Sequence, residues 1–539
     1  MLRILLLLLI PFTGFSQFTF EDTLKGSITP ERAWWDVQHY DIVLHDVNAS
    51  TKSVSGTVTI DFKVVEAGKH IMQIDLQQPL VIDRVTTNRN EINEVFSFQR
   101  ITPNVYHIQF PAGIDMMTYN NLTIHYSGTP VEAKNAPWDG GVVWTTDKSG
   151  NPFIATACQG IGASAWWPCK DHGADEPDAG ARISVTTPHQ LMNISNGQLI
   201  ENAVNDGKRT TSWEVKNPIN IYGINFNIGN YTSWDSVYTG EKGKLNMQFY
   251  VLKENLEKSK RQFQDAFRMM KAFEYWFGPY PFYEDGYKIV EVPYLGMEHQ
   301  SSVTYGNGYK NGYKGMDLSA TGWGLKWDFI IVHESGHEWF ANNITCKDNA
   351  DMWIHESFTT YSEGLFTEFY YGKDAGAEYL RGIRKNILND RPIIGEYGVN
   401  HPGSYDMYYK GANMLHTLRQ VVNNDEKWRQ LLRGLNTDFY HQTVTTADVE
   451  RYIGSFLEMD LSPFFEQYLR TNYVPQLETV KKGNKIRYRW TNCVEGFHMP
   501  IDVSTGKKRI RLYPSPTIQT IKAKSMLIDE NYYVQQVQQ

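Results

Sequence analysis

From about Trp34 to Ile200 the chain alternates apolar and polar positions, as in Tyr40/Ile42/Leu44 and Val58/Ile60/Phe62/Val64, with Gly, Asn and Pro breaks between the runs. A period of two turns one face of an extended segment to a core, so this stretch reads as all-β. The same texture continues to Leu245/Met247/Phe249/Val251. Leu256, Phe263, Phe267, Met270 and Phe277 then fall at helical spacing until Gly278-Pro279 stops the helix. From there to 472 the pattern is mainly helical, apart from a strand-like run from Tyr287 to Val292 and a Gly/Asn/Tyr-rich loop from Tyr305 to Gly315. Alternation returns after Pro475, as in Ile486/Tyr488/Trp490. The pattern predicts an all-β domain over 18–240, a mainly helical domain over 241–472 and a small β-domain over 473–539, with no internal repeat.

Length agrees with this division, because 539 residues, 41% of them hydrophobic, exceed what one ordinary core accommodates. The fold class expected is multidomain α+β. Lys and Arg number 52 against 60 Asp and Glu, spread without long like-charge runs, so no nucleic-acid partner is expected. Met1-Leu2-Arg3, the apolar run Ile4 to Ile10, and Gly14 and Ser16 predict a signal peptide over 1–17. No later apolar stretch is long enough to span a membrane, so a soluble exported protein, periplasmic or extracellular, is expected. The four cysteines are too few to staple a fold of this size; free buried thiols are expected, with a Cys158–Cys169 pair as the alternative.

The chemistry is concentrated in the helical region. Residues 333–337 read His-Glu-Ser-Gly-His in a stretch of helical period. Positions i and i+4 share a helix face, so His333 and His337 can close on one Zn²⁺ at about 2.0–2.1 Å while Glu334 leans over the open coordination position. With eighteen residues between it and His337, Glu356 lies in a second helical segment, Asp351-Met-Trp-Ile-His-Glu-Ser-Phe. Two histidines and one carboxylate leave a fourth site for water. His355 points about 100° away from Glu356 and reads as structural. Asp351 and Glu363 can either orient the ligands by hydrogen bonds or belong to a solvated helix face.

With its eighteen-residue spacer and its flanks, this constellation resembles the gluzincin aminopeptidase family, the group containing aminopeptidase N and leukotriene hydrolase. The resemblance implies one Zn²⁺ per chain, a β-saddle amino-terminal domain, a thermolysin-like catalytic domain and a short β-sandwich. Most members add a helical carboxy-terminal domain, and no such domain is expected within these 539 residues. Leu295-Gly-Met-Glu-His resembles the family's G-x-M-E-N exopeptidase motif, which implies substrate binding at Gly296, Met297 and Glu298, with Glu298 on the substrate's α-amine. Leu295 and His299 depart from that motif, and His299 either tilts Glu298 or adds a group titrating near pH 6.5. Cys158-Gln159-Gly160 and the Trp-Pro-Cys-Lys-Asp that follows resemble the family stretch bearing a substrate-binding Gln, which implies Gln159. Tyr408-Tyr-Lys-Gly-Ala resembles the family's Y-x-K-G-A, which implies Tyr408 as oxyanion donor.

The implied function is removal of amino-terminal residues from peptides with a free amino terminus, by attack of metal-activated water with Glu334 as base. Three rival readings stand beside it: a thermolysin-like endopeptidase, an epoxide hydrolase on the same scaffold, and an inactive secreted peptide-binding protein.

Overall fold

The computed structural model describes residues 18–89, 92–111, 119–506 and 508–538. The expected signal peptide lies outside the described residues.

The alternating runs become strands whose apolar face is buried. Trp35–Asn48 and Ser53–Val64 pair antiparallel at the centre of an eight-stranded sheet. Tyr40, Ile42, Leu44, Val58 and Ile60 are fully excluded from solvent there. A four-stranded sheet includes Pro152–Ala157, which runs directly into Gln159. These sheets enclose one apolar core that extends from Trp34 to Ile228. A short helix, α1 (Phe20–Gly26), precedes them.

The next sheet has five strands in the order Tyr231–Gly240, Gly243–Leu252, Tyr287–Glu291, Val303–Tyr305, Gly296–Met297. The expected strand at 287–292 is thus present. Because Tyr231–Gly240 pairs along its whole length with Gly243–Leu252, the last strands of the alternating region belong to this five-stranded sheet.

Helices pack on this sheet. The expected helix after residue 256 forms as two pieces, Leu256–Gln262 and α2 (Gln264–Phe277), and Gly278 ends it at φ 95°, a backbone setting that favours glycine. α3 (Phe329–Gly336) starts at Asp328, whose side chain accepts from the amides of Ile330 and Ile331 and satisfies two donors of the first turn. α4 (Trp353–Tyr371) is buried from Trp353 to Thr367 and therefore runs through the middle of the structure. α5 (Asp406–Val422) packs beside it, close enough that a Cβ on Gly411 would meet the Ser357 hydroxyl at 1.8 Å.

Beyond 475 two small sheets follow, of four and three strands. Their inward residues, Leu477, Trp490, Ile501 and Val503, join the core that begins at Leu245. All four cysteines are free, three of them buried, which agrees with the thiol expectation.

Candidate active site

α3 and α4 cross so that His333, His337 and Glu356 each present one ligand atom, all within 4.8 Å of one another. Glu356 Oε2 stands 3.7 Å from His333 Nε2 and 3.4 Å from His337 Nε2. The other ring nitrogens are held elsewhere. His333 Nδ1 is 2.7 Å from Glu363 Oε1, and His337 Nδ1 is 3.0 Å from the Phe340 carbonyl and 3.1 Å from the Thr359 hydroxyl. An Nδ1–H donated to a carboxylate or carbonyl leaves Nε2 as a lone pair, which is the tautomer a metal needs. Glu356 Oε2 is buried without a hydrogen-bond partner, a position that a cation between it and the two Nε2 atoms satisfies. The donor set of two imidazoles and a carboxylate fits Zn²⁺.

The structure decides between the alternatives for the neighbouring acids. Glu363 is buried, holds His333 Nδ1 and accepts from the Tyr379 hydroxyl at 2.6 Å, so it orients a ligand. Asp351 instead accepts from the Thr446 amide and the Tyr397 hydroxyl, and so ties the start of α4 to the helix that begins at Thr446. His355 accepts the Cys346 amide on Nε2 at 2.8 Å, the structural role expected for it.

Glu334 follows His333 on α3, and Glu298, Glu334 and His337 also have ligand-type atoms within 4.8 Å of one another. Burial is the largest influence on Glu334 and pushes its carboxyl up to about 7. A group with that affinity can take a proton and give it back near neutrality. Gly296 makes the approach possible, because a Cβ there would meet Ile330 Cγ2 at 2.6 Å and Glu334 Cγ at 3.3 Å. Met297 is buried beside it and packs against Ala157 and Tyr294.

Glu298 is buried and Oε1 accepts from Gln159 Nε2 at 2.7 Å and from the Tyr222 hydroxyl at 3.0 Å. The Gln159 amide nitrogen is 3.5 Å from Glu356 Oε1 as well, so Gln159 faces both the carboxylate cluster and the metal ligands and keeps its amide oxygen as an acceptor. Burial, more than any neighbour, raises Glu298. Tyr408 is stacked 6.3 Å from the His333 ring, and burial first, then the negative charge of Glu356, hold the phenol well above 10, so it remains a donor. Tyr409 sits on another side, near Glu363.

His299 does not add the group titrating near pH 6.5. It is fully buried, 3.4 Å from the Thr304 hydroxyl on Nδ1, and burial lowers its pKa to about 3. It is neutral across the working range.

Two contributors were not found from the sequence. Tyr222 comes from the β-rich region, where periodicity marks burial and nothing more. Asn342 donates to the Glu298 carbonyl at 2.8 Å and accepts from Asn220 Nδ2 at 2.8 Å. It is positioned by a break after His337, where Ala341 takes φ 151°, a setting disfavoured for a residue with a Cβ. Its place in the flank of the His-Glu-Ser-Gly-His run was the available signal.

The profile of the Peptidase M1 N-terminal domain matches residues 36–222, and that of the Peptidase family M1 domain matches residues 261–468. The chain belongs to the M1 peptidase family. It is 21% identical to leukotriene A-4 hydrolase of Xenopus laevis over 80% of this chain and 69% of that protein. It is 21% identical to leucyl aminopeptidase of Saccharolobus solfataricus over 68% of this chain and 46% of that protein, and 24% identical to aminopeptidase B of Rattus norvegicus over 64% and 54%. The chain thus spans about half the length of the latter two. A solved M1 zinc metallopeptidase from Deinococcus radiodurans, bound to a Tyr-Ser-Ala substrate, superposes with a TM-score of 0.65 at 20% identity, over 81% of this chain and 95% of that one. The β-rich amino-terminal domain, helical catalytic domain and carboxy-terminal strands expected from the sequence are the fold of this family. Among the described residues no helix is long and apolar enough to cross a membrane.

Proposed function

We propose that this M1 peptidase is an exported zinc aminopeptidase that removes one residue at a time from peptides with a free amino terminus. The observation that carries the reading is Glu298: a buried carboxylate, held by Gln159 and Tyr222, at the edge of the His333/His337/Glu356 cluster. An ammonium is the natural counter-charge for a buried carboxylate. An endopeptidase has no use for one at this position.

Zn²⁺ held by His333, His337 and Glu356 supplies Lewis acidity to the scissile carbonyl and to the attacking water. Glu334 accepts the water's proton and delivers it to the leaving amine. Glu298 binds the α-ammonium, and the Gln159 amide oxygen accepts a second of its hydrogens, so that the first peptide bond falls opposite Glu334. Gly296 and Met297 form the strand edge along which the peptide lies, and the Tyr408 hydroxyl donates to the carbonyl oxygen as negative charge develops there. Glu363 keeps His333 in the ligating tautomer. The domain limits that accompany this reading are 1–17 for the leader, 18–240, 241–472 and 473–539.

The test is a panel of aminoacyl fluorogenic amides, each with and without an acetyl block, assayed before and after chelation of the metal. Cleavage of the free amines, no cleavage of the acetylated ones and loss of activity on chelation are expected. Activity that survives acetylation would sink the exopeptidase reading, and activity that survives metal removal would sink the zinc.

A further inference from the structure

We infer that α1, a segment preceding both matched domains, is a positioning element of the substrate site, and that Lys25 acts through the Gln159 loop. This rests on the aminopeptidase reading above.

The loop that carries Gln159 is a tight turn, closed by the Gly162 amide on the Cys158 carbonyl at 2.8 Å. Gly160 and Gly162 take φ 78° and 89°, the left-handed region in which glycine is free and the backbone has no sheet ladder to hold it. Its far end is fixed within its own domain, where Asp171 accepts the amides of Ala163 and Ser164, each at 3.2 Å. Within the same domain Gln77 Nε2 donates to the Ile161 carbonyl at 2.7 Å, and two distant segments hold the Gln159 end as well. Lys25 Nζ donates to the Gly160 carbonyl at 3.1 Å and also to the Ile161 carbonyl. Asn400 Nδ2 donates to the same Gly160 carbonyl at 3.0 Å, and its own amide oxygen is held by Asn349 Nδ2 at 2.6 Å.

Lys25 is itself placed from both sides. The fully buried Arg32 donates to the carbonyls of Leu24 at 2.9 Å, Lys25 at 3.2 Å and Ser27 at 2.9 Å while bonded to Asp75 at 2.6 Å, which fastens the end of α1 to the amino-terminal domain. Against the catalytic domain, the Asn400 amide donates to the Asp22 carbonyl at 2.9 Å. Gly26 packs so closely that a Cβ would lie 2.1 Å from the Val399 carbonyl carbon. Lys25 and Gly26 also wall a crevice of about 70 Å³ shared with Cys158, Gly160, Tyr222 and Asn400, the residues around Gln159 and Glu298. A charge on α1 therefore sets where the amide that meets the substrate's ammonium stands.

The test is steady-state kinetics on a free aminoacyl fluorogenic amide with Lys25→Met, Lys25→Arg, Gln159→Ala, the Lys25→Met/Gln159→Ala double variant and Glu298→Ala. Lys25→Met is expected to raise KM about tenfold with kcat within about twofold. Lys25→Arg, which keeps the cation and its donors, recovers most of that loss. In the Gln159→Ala background Lys25→Met adds nothing, because the residue it acts through is gone. An unchanged KM in Lys25→Met, or the same loss with and without Gln159, overturns the inference. If Lys25→Met does not fold, Gly26→Ala takes its place, since it displaces α1 from Val399 with Lys25 intact, and the same non-additivity with Gln159→Ala is required. If Glu298→Ala leaves KM unchanged, the aminopeptidase reading falls and this inference with it. If Glu298→Ala raises KM and Lys25→Met does not, only the role of α1 falls.

Discussion

The metal cluster and the cluster proposed to recognise the substrate's amine share a wall yet are assembled in opposite ways. The ligands come from one window of the chain, and the bond that orients His333 joins residues only 30 apart in sequence. Recognition is built across the molecule: Gln159 and Glu298 are 139 residues apart, and Tyr222 is 76 from Glu298. Two buried helices hold the first cluster. The second hangs on a loop, a turn and a strand edge. Helical geometry alone can place a metal, whereas reading a substrate's amino terminus requires the domains to meet correctly.

This contrast can be broken at its strongest point first. Glu334→Gln keeps the shape of the metal cluster but removes the proton acceptor, and kcat should fall by about 10³-fold in a stopped assay with zinc content unchanged by metal analysis. On the recognition side, Glu298→Ala should lower kcat/KM for free-amine substrates by about 10²-fold, the scale of losing one partner of a buried charge pair, and leave acetylated substrates uncleaved. A variant that cleaved acetylated peptides well would instead show that Glu298 excludes endopeptidase activity.

His299 sharpens the comparison through pH. Its pKa is about 3 in the fold and near 6.5 in the unfolded chain, so below pH 6.5 the unfolded state gains a proton that the fold refuses. The neutral His299 therefore costs stability as pH falls from 6.5 towards 3. The stability of His299→Asn relative to the parent should improve by about 2 kcal/mol between pH 7 and pH 5, read from denaturant midpoints at each pH. The pH profile of kcat/KM should keep its midpoints, because His299 is neutral throughout.

Smaller effects test the supports. Tyr222→Phe removes one donor to Glu298 and should raise KM about tenfold with little change in kcat. Ala341→Gly relaxes the φ of 151° at the junction of the two clusters and should raise the melting temperature, by about 1 kcal/mol in stability.

What the sequence made legible follows the same division. The i, i+4 histidines and the later Glu356 were readable because a helix turns spacing into geometry. Alternation likewise revealed the amino-terminal strands, and the strand-like run from Tyr287 marked Tyr287–Glu291. Glu363 and Asp351 looked alike as acids beside the motif, and only the packing of α3 on α4 gave one to His333 and the other to Thr446. His299 looked titratable because residue type carries an ordinary pKa, while the burial that suppresses it is a property of the whole fold. Tyr222 gave no signal, since its role depends on where a β-rich domain touches a distant strand.

The two apolar cores also imply something about unfolding. One extends from Trp34 to Ile228, while the other runs without interruption from Leu245 to Tyr532 and so joins the small carboxy-terminal sheets to the catalytic helices. Elements that share a core melt together. Heat or denaturant should accordingly release the carboxy-terminal strands and the metal-binding helices in a single cooperative step, so that damage at Trp490 or Ile501 is felt as loss of the catalytic centre rather than as fraying of an appendage.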